Sequence, residues 1–123
     1  MNRCDFRLLS INNFDQNKLI NENITLEQSL ILKTIFVMIN NNIQKDGTER
    51  YTTIVEDNEV YYDISREAII KAVPILKLDK MKFYRTVNPL IQKEFIVKRP
   101  IKTKFWIRLN NLDKLRNDIK INT

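Results

Sequence analysis

The segment from Thr25 to Asn42 constrains the fold most. Thr25-Leu26-Glu27-Gln28 has the form of a capping box, in which the threonine hydroxyl serves the amide three residues on and the glutamine reaches back. The spacing predicts a helix from there to about Asn42. Its apolar residues Leu26, Leu30, Ile31, Ile35, Phe36, Met38 and Ile39 cover well over half the circumference. Several elements must pack around such a helix, so it is expected to be the centre of a single core. The run from Leu30 to Ile39 is broken by Lys33 and falls short of the roughly 20 apolar residues that span a bilayer.

With one glycine and three prolines in 123 residues, boundaries are read mainly from caps and from changes in apolar period. Residues 1–24 are rich in Asn and read as an N-terminal arm or a short strand, with Phe6, Leu8, Leu9, Ile11 and Phe14 as apolar anchors. After the central helix, Lys45-Asp46-Gly47 supplies a turn. Tyr51–Val55 and Val60–Ile64 are mostly β-branched or aromatic and flank the polar Glu56-Asp57-Asn58-Glu59, a hairpin pattern. Ser65 is a candidate N-cap for a short helix carrying Ala68, Ile69, Ala72 and Val73 and ending before Pro74.

Asp79 is a second capping residue, and Phe83, Val87, Leu90 and Ile91 follow at helical spacing. The opposite face of this third helix is read as Lys80, Lys82, Tyr84, Arg85 and Asn88, with Pro89 expected to kink the helix or end its regular hydrogen bonding. Phe95–Lys98 and Lys104–Leu109 then alternate as two strands around Arg99-Pro100-Ile101-Lys102-Thr103. A polar terminal helix is expected from Asn111.

The formal net charge of +6 is unevenly placed: residues 1–76 are net −3, residues 77–108 net +8 and residues 109–123 net +1. A basic block is the footprint expected of a nucleic-acid binder, because phosphates and their condensed counterions reward it. The competing reading is a basic face that serves solubility.

Catalysis finds little support. With no histidine and the single cysteine Cys4, nucleophile–His arrangements and zinc sites of familiar spacing are excluded, and one glycine leaves no phosphate-cradling loop. Glu56, Asp57, Glu59 and Asp63 have the chemistry for a magnesium ion, but four acids at a turn read better as a solvated loop. The chain is therefore expected to be no enzyme and to need no cofactor or metal. The alternating charges of Met-Asn-Arg-Cys-Asp-Phe-Arg do not form a secretory signal, and a lone cysteine suits a reducing, cytoplasmic setting.

Helix, hairpin, helix, short connection, helix and basic hairpin follow in the order of the winged helix-turn-helix plan. Ile64-Ser65-Arg66-Glu67-Ala68-Ile69-Ile70-Lys71-Ala72-Val73-Pro74-Ile75-Leu76-Lys77-Leu78-Asp79 resembles the second helix and turn of that family. Lys82-Phe83-Tyr84-Arg85-Thr86-Val87-Asn88-Pro89-Leu90-Ile91-Gln92-Lys93-Glu94-Phe95-Ile96 is similar to its recognition helix running into the first wing strand. The stretch from Asp63 to Ile96 resembles the winged-helix parts of replication initiators and replisome organisers from phages and plasmids. It departs from them at Pro89, and at Glu94 or Phe95, where glycine is usual.

The resemblance implies an α+β winged helix-turn-helix over residues 25–109, with three core helices, a basic β-hairpin wing and a second small hairpin, between the arm at 1–24 and a C-terminal helix at 110–123. It implies binding to double-stranded DNA in replication initiation or transcriptional regulation of a mobile element. The alternative is a winged-helix interaction module that holds an acidic partner without touching DNA. Lys80, Lys82 and Arg85 are the candidates for the groove, since Lys and Arg donate to guanine edges and neutralise phosphates, and Tyr84 and Asn88 suit phosphate or base-edge contacts. Lys98, Arg99, Lys102, Lys104, Trp106 and Arg108 are the wing candidates. Alternation sets Lys104, Trp106 and Arg108 on one face and Phe105, Ile107 and Leu109 on the other. Apolar residues in the end segments, among them Leu112, Leu115 and Ile119, point to a homodimer. No small-molecule substrate and no membrane is expected.

Overall fold

The computed structural model describes residues 10–101 and 104–116. Among these the fold is mixed α+β, with four α-helices and two antiparallel sheets. The helices are α1 (Gln16–Asn21), α2 (Leu26–Asn40), α3 (Arg66–Ala72) and α4 (Lys80–Gln92). The strands are β1 (Ser10–Ile11), β2 (Phe14–Asp15), β3 (Thr53–Glu56), β4 (Glu59–Tyr62), β5 (Ile96–Ile101) and β6 (Lys104–Leu109). No helix of the described residues is long and apolar enough to cross a membrane.

The capping box forms as its residues dictate: Gln28 N donates to Thr25 Oγ1 at 3.1 Å and Thr25 N donates to Gln28 Oε1 at 2.9 Å. Helix α2 buries Ile31, Leu32 and Ile35 completely and packs against both α3 and α4. It ends at Asn40, two residues before the expected limit, because Asn42 has another task. The buried Asn42 amide donates to Tyr51 O at 3.0 Å and accepts from Tyr51 N at 2.7 Å, imitating a strand neighbour for a backbone about to enter β3.

Two hairpins turn on paired left-handed residues. Asn12 and Asn13 (φ 54° and 70°) join β1 to β2, and Asp57 and Asn58 (φ 52° and 64°) join β3 to β4. Asn and Asp tolerate this region because their short side chains bond locally, and two successive positive φ values match the twist of a two-residue hairpin. The described part of the N-terminal arm is therefore a small hairpin that runs into α1, whose first turn is capped by Asp15 accepting from Lys18 N at 3.1 Å.

The basic hairpin and the first hairpin are not separate, as the sequence reading had them. Tyr62 pairs with Ile107, and the four strands form one sheet in the order β3-β4-β6-β5. Register and alternation put Ile96 and Ile107 on the face that covers the helices, within the core formed with Ile69, Phe83, Val87 and Leu90.

Pro89 does not end α4; the helix continues to Gln92. The hydrogen bond that a proline at this position forgoes is the one to the Arg85 carbonyl, on the exposed side of the helix. The true end lies at Glu94 in the left-handed region (φ 66°), with Glu94 N donating to Ile91 O at 3.0 Å and Phe95 N to Leu90 O at 2.9 Å. This is a Schellman closure, sealed by contact between the buried Leu90 and Phe95 positions, with glutamate where glycine is usual.

The ends of the described chain meet. Asp15 N donates to Leu115 O at 2.8 Å, Lys18 Nζ donates to Arg116 O at 2.8 Å, and Phe14 and Leu115 are both buried in the core. Two of the apolar residues on which a dimer was argued thus serve the chain's own interior, while Phe6, Leu8, Leu9 and Ile119 lie outside the described residues. The expected terminal helix is, over Leu112–Lys114, a 3-10 turn entered through the left-handed Asn111 (φ 58°); residues 117–123 lie outside the described set.

Candidate nucleic-acid interface

The connection between α3 and α4 is short. Ser65 caps α3 by accepting from Ala68 N at 3.1 Å, and Pro74–Leu76 forms a 3-10 turn closed by Lys77 N donating to Pro74 O at 3.0 Å. Asp79 then caps α4, accepting from Lys82 N at 2.7 Å. The two helices are thereby joined through one capped turn, and α4 is held on its inner side by Phe83, Val87 and Leu90.

The five side chains expected on one face of α4 do not share it. Successive residues are rotated by about 100°, so positions 80, 82, 84, 85 and 88 cannot all point one way. Met81, Arg85 and Asn88, spaced four and three apart, form the exposed ridge, with Lys80 exposed at its start. Neither Lys80 nor Arg85 is engaged by another side chain among the described residues. Lys82 turns back instead, and its Nζ donates to Leu76 O at 2.9 Å, closing the last carbonyl of the turn.

Tyr84 lies on the flank of α4 that faces the sheet. Its hydroxyl accepts from Arg66 Nη1 at 2.8 Å, and the Arg66 guanidinium and the Lys98 amine stand 5.5 Å and 6.0 Å from its ring centroid. These residues line a groove of about 560 Å³ between the start of α3, α4 and the sheet. Its floor is apolar (Ile69, Phe83, Val87, Ile96), and its rim carries Arg66, Lys98 and Lys104 with Asp63 and Glu67. Glu67 lies 3.3 Å from Arg66, and Asp63 3.2 Å from Lys104. Arg66 was not among the expected site residues; its signal in the sequence was a lone cation in the first turn of α3, beside the cap Ser65.

The wing candidates divide between two faces. Lys98 shares the inner face of the sheet with Ile96 and Ile107, beside Tyr84, and Lys104 reaches the mouth of the groove from the start of β6. Arg99, Trp106 and Arg108 lie on the outer face, where Arg99 pairs with Trp106 across the strands. There Tyr61, only 4% exposed yet outside the main core, is covered by the guanidinia of Arg99 and Arg108 at 5.8 Å and 5.5 Å. The acids of the first hairpin meet them: Asp57 lies 2.7 Å from Arg99 and Glu59 3.8 Å from Arg108. The hydrogen bond to Asp57 holds the Arg99 guanidinium above even its usual high range.

Trp106 therefore projects with Arg108, as alternation required, but away from α4. It is half-buried, and its Nε1 is enclosed without an acceptor among the described residues. Lys102 lies outside the described residues. No cluster of three or more metal-ligating side chains occurs among those described. The acids Asp57, Glu59 and Asp63, weighed as magnesium ligands, are each engaged by a basic side chain. Comparison with protein-family models, with curated proteins and with solved structures finds no match to this chain.

Proposed function

We propose that this chain is a winged-helix protein that binds double-stranded DNA, with α4 as the helix that enters the major groove and the β5–β6 hairpin as the wing. The observation that carries the reading is the exposed ridge of α4: Lys80 and Arg85 stand there beside Asn88 with no side-chain partner among the described residues, on a helix capped by Asp79. On the sheet, by contrast, Asp57, Asp63 and Glu59 lie against Arg99, Lys104 and Arg108 and offset their charge.

Lys98 and Arg66, both beside Tyr84, are set to follow a phosphate backbone as the helix occupies the groove. Lys82 is assigned to the turn and not to DNA. On the resemblance of Asp63 to Ile96 to phage and plasmid initiators, we assign the binding to replication initiation or transcriptional control. Titration of a fluorescent random duplex from low to moderate salt tests the reading. Log affinity is expected to fall linearly with log salt, by about 0.9 for each phosphate contacted. Absence of duplex binding at low salt overturns it.

A further inference from the structure

The two most exposed large apolar side chains among the described residues are Ile75, at 78%, and Met81, at 71%. Ile75 lies within the 3-10 turn and Met81 in the first turn of α4, six residues on. Met81 is moreover on the ridge itself, one helical turn before Arg85 and two before Asn88. A thioether on a helix face of otherwise polar and cationic residues adds nothing to attraction for phosphate, and in free protein it exposes apolar surface to water.

We propose that Met81 is a specificity-determining residue that packs against the C5-methyl of thymine in the major groove. The inference rests on the duplex-binding reading and deepens it, because it states which base feature the ridge selects. The cations fix the occupant: Lys80 and Arg85 draw the ridge to a polyanion, and the only apolar group that a duplex displays in its major groove is the thymine methyl. Arg85 and Asn88 supply polar base-edge contacts one and two turns on, so Met81 would read a base pair at the edge of the same short site. An unbranched, polarisable side chain adapts to that contact without demanding one rotamer.

The test uses the full chain and a site enriched by it from random duplexes, synthesised once with thymine and once with every thymine replaced by uracil, which removes only the methyl. Wild type is expected to bind the thymine duplex about fourfold more tightly for each methyl it packs on, the worth of one buried carbon. Met81→Ala should bind both duplexes equally while keeping its melting temperature, and Met81→Leu should retain most of the preference. Arg85→Ala should weaken both duplexes alike and leave the ratio intact. Equal affinities for the two duplexes in wild type, no shared thymine in the enriched site, or a preference that survives Met81→Ala would each overturn the inference while duplex binding stands. No binding of any duplex would overturn the binding reading and the inference together.

Discussion

Arg66 donates to the Tyr84 hydroxyl at 2.8 Å and stacks its guanidinium 5.5 Å from the same ring, tying the first turn of α3 to the flank of α4. The bond uses the hydroxyl as an acceptor, which leaves its proton available to a phosphate oxygen. Tyr84→Phe keeps the ring and loses both functions. It should lower stability by about 1 kcal/mol in thermal unfolding, the scale of a partly exposed hydrogen bond to a charged group. Duplex affinity should fall several-fold with an unchanged salt slope, because no charge is removed, whereas Lys98→Ala should reduce that slope by about 1. Equal slopes for wild type and Lys98→Ala would remove Lys98 from the backbone path.

Glu94 closes α4 from the left-handed region, where a Cβ crowds the carbonyl. Glu94→Gly removes that crowding without touching the two backbone bonds of the closure. It should raise stability by about 1 kcal/mol in chemical denaturation, even though glycine also gains freedom in the unfolded chain. A loss of stability would show that the glutamate side chain contributes more than its backbone strain costs.

Asn42→Ala should lower stability by about 2 kcal/mol, since it leaves the N–H and C=O of Tyr51 without the partners they have at 2.7 Å and 3.0 Å. Amide exchange at Tyr51 should accelerate selectively. An unchanged exchange rate there would contradict the role assigned to the Asn42 amide.

What could be read from the sequence follows the range of the interactions involved. Caps are local, and Thr25 with Gln28, Ser65 and Asp79 mark helix starts that the structure reproduces. Strand alternation is equally local, so Trp106 and Ile107 fall on opposite faces as their positions require. The joining of the two hairpins is not local: it depends on Tyr62 meeting Ile107 across 45 positions of sequence, and neither segment carries a mark of the other. For the same reason Arg99 and Arg108 read as free cations until the sheet brings Asp57 and Glu59 against them. Lys82, three residues before Arg85 and beside it on the helix, reads as part of that face until the preceding turn brings the Leu76 carbonyl within reach of its amine. Helix α1 was missed because its start depends on Asp15, whose capping role shows only once the Asn12-Asn13 turn is recognised.

The central claim, that DNA lies on the α4 side and not across the outer face of the sheet, is tested most directly by two double variants of equal charge. Lys80→Ala with Arg85→Ala removes two cations from the ridge; Arg99→Ala with Arg108→Ala removes two from the outer face, where Asp57 and Glu59 already oppose them. Duplex affinity by fluorescence anisotropy, at one salt concentration and well below each variant's unfolding transition, should fall about thirtyfold or more for the ridge pair, the scale of two direct contacts at about 1 kcal/mol or more each. The outer-face pair should stay within about threefold of wild type. Equal losses in both would reduce the binding to net charge, and a larger loss in the outer-face pair would place the duplex on the face that carries Tyr61 and Trp106.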